Sequence, residues 1–198
     1  MKSIEIVGFK RANLGKKNAQ ELRQDAMVPC VLYGGDEQVH FHVPMIMFRE
    51  LVYSPNVYEV NIAIDGTTHR AILQDYQMHP VSEVLQHADF LALREGKEVK
   101  MEIPVKFVGS SPGVLGGGTL VTKLRKLKVK ALPENLPDFV EVDISELELG
   151  KSIKVGKVEA TGFRILSDKQ APVATVAIPR GLRSQMEDDK KTTTGGKK

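Results

Sequence analysis

Two apolar-rich runs, Val57 to Ile64 and Thr67 to Leu73, are separated by Asp65-Gly66 and nothing else. So short a connection closes only if its residues take left-handed backbone, which glycine adopts freely and aspartate tolerates, and it predicts two paired antiparallel strands. The same two-residue period recurs along the chain. Ser3-Ile4-Glu5-Ile6-Val7-Gly8-Phe9-Lys10 alternates and reads as a first strand. Cys30-Val31-Leu32-Tyr33, stopped by Gly34-Gly35, and then Gln38 to Val43 read as a further pair. In the latter, Val39, Phe41 and Val43 share one face, and His40 and His42 the other, expected to be solvated. Later strands are expected at Val99 to Val108, Lys123 to Leu132, Phe139 to Ile144, Ser152 to Val155 and Val173 to Ile178. They are punctuated by Pro133, Pro137 and Gly150 at the spacing of antiparallel β architecture. Gly109 to Gly113 and Gly116-Gly117-Gly118 read as flexible loops.

Helices are few and short. One is expected from about Asn18 to Ala26, with Asn18 and Glu21 as a capping box, and one over Met45 to Tyr53 behind Pro44. Gln74 to Leu93, broken at His79-Pro80, reads as irregular. The polar segment Arg94 to Glu98 is the expected domain boundary. The fold class is therefore mainly β with short helices, residues 1–94 forming one domain and 97–180 a second, antiparallel β-rich one; residues 181–198 are a polar tail expected to be disordered.

A chain of 198 residues, 41% of them hydrophobic, has material for two modest cores. No apolar run is long enough to cross a bilayer and Met1 to Lys10 lacks a signal-peptide core, so a soluble protein that stays in its compartment is expected. With Cys30 as the single cysteine, internal disulfides are impossible and a reducing cytoplasm is the expectation. Catalytic motifs fail on inspection. Gly150-Lys151-Ser152 lacks the upstream glycine of a phosphate loop, since Ser145 stands there, and Gly116-Gly117-Gly118 has Val121 where a dinucleotide loop needs glycine. His40 and His42 have no third ligand at zinc spacing, and Cys30 lies in an apolar run. No enzyme, cofactor or metal is expected.

Charge is more informative in its distribution than in its sum of +3. Residues 1–95 hold 9 basic and 12 acidic groups, yet Lys10, Arg11, Lys16, Lys17 and Arg23 cluster against one acid, Glu21. Such a patch is either an ordinary solvated helix or a set of phosphate contacts, and charge does not decide between them. Tyr33, Gln74, His87 and Asp89 each fall near a strand end or turn and can converge on one edge of a barrel. Asp89 is repelled by phosphates, so at an RNA surface it serves by accepting hydrogen bonds from base edges; the other reading is a carboxylate tying down its own turn. Lys126, Lys128 and Lys130 share a strand face that is either solvated or a secondary contact.

In order and spacing, several stretches resemble a bacterial large-subunit ribosomal protein family, number twenty-five, in its long two-domain form, also called general stress protein CTC. They are Gly15-Lys16 with Leu22-Arg23, Val28-Pro29-Cys30-Val31-Leu32-Tyr33-Gly34, Leu73-Gln74-Asp75, and His79-Pro80 with His87-Ala88-Asp89-Phe90. Ala131-Leu132-Pro133, Leu136-Pro137, Val142-Asp143-Ile144 and Gly150-Lys151-Ser152-Ile153 extend the likeness through the second half. The resemblance implies a small N-terminal β-barrel that binds 5S ribosomal RNA, at an internal loop whose distorted pairs expose base edges in a shallow minor groove. Lys10, Arg11, Lys16 and Arg23 would then meet the backbone, and Tyr33, Gln74, His87 and Asp89 the base edges. It also implies a structural, cytoplasmic role in the large subunit, whose neighbouring RNA and proteins would meet the second domain. A stress-response or regulatory RNA-binding role off the ribosome is the alternative. Where that family commonly has Ser then Arg before the Leu-Arg pair, this chain has Ala19 and Gln20, leaving Lys17 as a candidate substitute.

Overall fold

The computed structural model describes residues 2–179 and 181. The expected disordered tail lies outside the described residues, apart from Gly181. Packing divides the described residues into two compact units, 2–104 with Lys130–Phe139 and Gly162–Arg164, and Val105–Val129 with Val140–Thr161 and the described residues from Ile165 on. Among the described residues no helix is long and apolar enough to cross a membrane.

The first unit is built on a closed six-stranded barrel. Its strands are β1 (Lys2–Lys10), β2 (Met27–Tyr33), β3 (Val39–Pro44), β4 (Tyr58–Ile64), β5 (Thr67–Met78) and β6 (Leu85–Ala92), in the order β1-β3-β2-β6-β5-β4. Closure comes from β1 lying parallel to β4, from Lys2 beside Tyr58 to Gly8 beside Ile64. The Asp65-Gly66 hairpin forms as expected, with φ of 48° and 83°, and pairs β4 with β5. Alternation puts Ile6, Val28, Cys30, Leu32, Phe41, Val43, Val60, Ile62, Ala88 and Phe90 inside, almost without exposure. At the centre, Phe90 sits between Phe41 and Phe48, at centroid distances of 5.8 and 6.2 Å. Burying such rings is worth roughly 2–3 kcal/mol each before entropy is counted.

Four local expectations need correction. Helix α1 spans Lys16–Gln24 with Gly15 at its N-cap and no side-chain cap; Asn18 lies inside the first turn, too far along to cap it, and its Oδ1 accepts from the Arg11 guanidinium. The Met45 to Tyr53 segment is a 3-10 turn over Met45–Phe48 followed by α2 (Arg49–Tyr53), and Pro44 ends β3. Gln74 to Leu93 is not irregular: β5 continues to Met78 and pairs with β6. Irregular register between Leu73 and Asp75, and the exposure of Gln74 to Gln77, erased the alternation by which a strand is read. Finally, His40 and His42 are half-buried, the latter with its ring against Phe9, so this face is not simply solvated.

Beyond the barrel lie two small sheets. One has the order β10-β7-β9-β12, from β7 (Val99–Val108), β9 (Lys126–Ala131), β10 (Val140–Asp143) and β12 (Arg164–Ile165). The other has the order β11-β13-β8, from β8 (Thr119–Thr122), β11 (Ser152–Lys154) and β13 (Pro172–Ala177). The latter is antiparallel, whereas β10 lies parallel to β7, so this β-rich region is not antiparallel throughout. Strands β8 and β12, four and two residues long, add to those expected from the sequence. The Gly109 to Gly113 loop carries a helical turn, α3 (Pro112–Leu115), whose start is capped by the Ser111 hydroxyl accepting from Val114 N–H.

Candidate nucleic-acid interface

Because Cys30, Leu32, Ala88 and Phe90 point into the barrel, the residues between them point out. The strand register aligns these outward residues in a row: His40 on β3 beside Val31 on β2, Val31 beside Asp89 on β6, and Asp89 beside Asp75 on β5. Two positions along β6, His87 reaches back so that its Nδ1 lies 3.1 Å from Asp89 Oδ1. Both side chains are about one-third open, at 27% and 35% exposure, enough to present polar edges while neighbouring strands fix their direction.

Tyr33 ends β2, and burial first, then the carboxylates of Asp89 and Asp75, push its phenol pKa up. Its hydroxyl thus keeps its proton and is available to donate. Asp75 itself is fixed by the Tyr76 N–H, which donates to Oδ1 at 2.8 Å. Cys30, on the inner side of the same strand, has its thiol pKa pushed up by burial and by Asp89, so it is held neutral and unreactive.

Helix α1 packs against β2 and is fastened near both ends by arginines. Arg11, just beyond β1, donates Nη2–H and Nε–H to Asn18 Oδ1 at 2.9 and 3.3 Å, and its backbone N–H donates to His40 O at 3.0 Å. Arg23 Nε–H donates to the Gln86 carbonyl at 3.0 Å, one residue before His87. Lys16 and Lys17 lie in the first turn of the helix and are exposed.

The structure thus brings Tyr33, His87 and Asp89 onto one outer face, with Gln74 exposed at the irregular step of β5 next to Asp75. Arg11, Lys16 and Arg23 are grouped through α1. Lys10 stands apart, lining a cavity at the barrel end with Asp36, Glu37, His69 and Arg70. Two members escaped sequence reasoning. Asp75 and His40 join the row only through strand register, and no feature of the sequence in their own neighbourhood announces that pairing.

A site of this kind offers neutral and anionic acceptors framed by cations, with two carboxylates side by side. Phosphates alone would be repelled from its centre and attracted to its rim, whereas exposed amino and imino groups of bases find acceptors there. Among the described residues no cluster of three or more His, Cys, Asp or Glu is arranged to hold a metal.

Comparison with known proteins bears on the whole chain. Residues 6–90 match the family model described as Ribosomal L25p family, and residues 98–180 the one described as Ribosomal protein TL5, C-terminal domain. The chain is similar to the large ribosomal subunit protein bL25 of Cytophaga hutchinsonii, 51% identical over 93% of this chain and 96% of that one. The protein of the same name from Amoebophilus asiaticus is 49% identical over 93% and 94%, and that from Bacteroides fragilis 43% identical over 92% and 96%.

Proposed function

This chain belongs to the ribosomal L25p family in its two-domain form, and on that premise we propose that it is a non-enzymatic structural protein of the large ribosomal subunit, working in the cytoplasm, whose barrel binds 5S ribosomal RNA. Its relatives are named as large-subunit proteins along nearly their entire length, which supports the subunit assignment. The observation that carries the RNA reading is the single outer face on which Tyr33, His87 and Asp89 meet, beside a helix tied down by Arg11 and Arg23.

In this reading the roles divide by chemistry. Lys16 and the outer edges of Arg11 and Arg23 neutralise phosphates and set the register; Lys10, apart from them at the barrel end, meets the RNA backbone separately. Tyr33, Gln74, His87 and Asp89 meet base edges in a widened, distorted minor groove, where a regular RNA helix would give them too little to read. Functionally the chain divides into residues 1–94 for 5S RNA and 97–180 for neighbouring RNA and proteins of the subunit.

Titration of a 5S RNA transcript with the full chain tests this. Tight, salt-dependent binding is expected, and Asp89→Asn should weaken it by about 1–3 kcal/mol at unchanged salt slope, since a base-edge acceptor is lost and no phosphate contact is. No binding in low salt would end the 5S proposal; an unaltered Asp89→Asn curve would remove base reading by Asp89.

A further inference from the structure

Away from Asp89, the same barrel carries a second unusual feature on its outer side. Phe9 on β1 is 49% exposed, and its ring lies against that of His42 on β3, with centroids 5.6 Å apart and planes inclined by 30°. The two are register partners, and His42 is in turn paired with Pro29 on β2. His40, two positions from His42 on the same strand face, opens the row that leads through Val31 to Asp89. The aromatic pair is therefore continuous with the candidate interface, not a separate patch.

Its chemistry is also specific. His42 Nδ1 is buried and makes no hydrogen bond, and burial together with the nearby Arg11 charge lowers the pKa of the ring. A neutral imidazole backs the Phe9 ring without adding a charge, and the half-open phenylalanine stacked on it presents a π face to solvent. Arg11 stands next to the pair, its guanidinium steadied by Asn18. Flat neutral rings with a fixed cation alongside are what an unstacked nucleotide needs: a surface for the base and a partner for its phosphate.

We propose that Phe9 and His42 form a stacking platform for one unpaired base of the RNA held by the barrel, with Arg11 meeting that nucleotide's phosphate. The assignment rests on the RNA-binding reading above. It names a contact outside the set around Asp89, one that adds affinity independently of base identity because every base has a π face. Val7, the next outward residue of β1, is equally open at 49% but has no ring, so it serves as the control for apolar area alone.

The test is a binding titration of the full chain and three variants against a 5S RNA transcript at several salt concentrations. Phe9→Ala should bind roughly tenfold more weakly with the same salt slope, as for loss of one base–ring stack. Phe9→Tyr should bind like the parent, and Val7→Ser should be unaffected. Phe9 is half open, so Phe9→Ala should keep the parent's circular dichroism, which is checked alongside. If the parent binds and Phe9→Ala binds equally well, the platform is wrong while the RNA reading stands. A Val7→Ser defect as large as that of Phe9→Ala would also overturn it in favour of plain apolar contact. Failure of the parent chain to bind would overturn both.

Discussion

The closed barrel and the two open sheets that follow it use the same alternation of residues to opposite ends. In the barrel every strand has a neighbour on both sides, and three phenylalanines fill the middle. Backbone groups are thus satisfied internally, and the outward residues of β3, β2, β6 and β5 are left to carry His, Tyr and Asp. In the later region the strands of the β11-β13-β8 sheet have three to six residues, and their buried residues, among them Val173, Ala174 and Val176, are aliphatic. Short open strands supply little cross-strand stabilisation. Close backbone fits at glycines take its place: Gly113 N–H donates to Leu147 O at 3.0 Å, and Gly118 N–H to Gly113 O at 2.9 Å. A self-closing sheet can specialise its surface, whereas an open one depends on its loops.

The largest effect expected from this contrast is in the barrel core. Phe90→Ala removes the ring that touches both Phe41 and Phe48, and should destabilise the barrel by about 3–5 kcal/mol. Amide hydrogen exchange should show this as loss of protection in β2, β5 and β6, and RNA binding should fall with it because Asp89 is the adjacent residue. In the later region the weak point is backbone fit. A Cβ at position 118 would collide with Val176 Cγ1 and lie 2.6 Å from Gly113 O and 2.7 Å from Leu149 Cδ2. Gly118→Ala should therefore cost about 1–3 kcal/mol, seen as faster exchange in β8 and β13 with protection in the barrel and 5S RNA affinity unchanged. Equal loss of protection in the barrel would break the contrast.

These two sites also mark what the sequence could and could not disclose. The Asp65-Gly66 hairpin and the inward set Val39, Phe41 and Val43 were readable because turn chemistry and period act within a few residues. The pairing of β5 with β6 was not, since its irregular step shifts the alternation by one and its outer end is polar on both faces. Asn18 looked like a helix cap; its actual partner, Arg11, is fixed by the fold and not by local spacing. Tyr33, His87 and Asp89 stand out in the sequence by their places near strand ends and turns, and the family resemblance gives them an RNA role, but their meeting on one face, and the presence of Asp75 beside them, depends on strand order. The buried Gly113 and the tight Gly118 looked like flexible loop residues because crowding around a glycine leaves no trace in its neighbours.

A smaller effect separates the charged surfaces of the two regions. Lys16 on α1 and Lys126 on β9 are both exposed. If the barrel alone engages 5S RNA, Lys16→Ala should reduce the salt slope of binding by up to about 0.9, the value for one phosphate contact, and Lys126→Ala should leave it unchanged. A reduction by Lys126→Ala in the same titration would make the later sheet part of the 5S interface.

The smallest expected effect lies in the response to acid. His42 has a folded-state pKa below its ordinary 6.5, through burial and then Arg11. Its neutral form is the one the barrel accommodates, so its contribution to stability is complete above about 6.5 and is lost as pH falls through the lowered value. Asp143, in the later region, is held below 3.8 by the Ser145 hydroxyl and N–H. Its contribution is present above 3.8 and disappears only below that. Exchange-derived opening energies between about pH 7.5 and about 5.5 should therefore fall in β1 and β3 of the parent chain, less so in His42→Gln, and hold steady around β10. An identical slope in the parent and His42→Gln would assign the acid response of the barrel to another group and would remove the neutral ring from the account of its outer face.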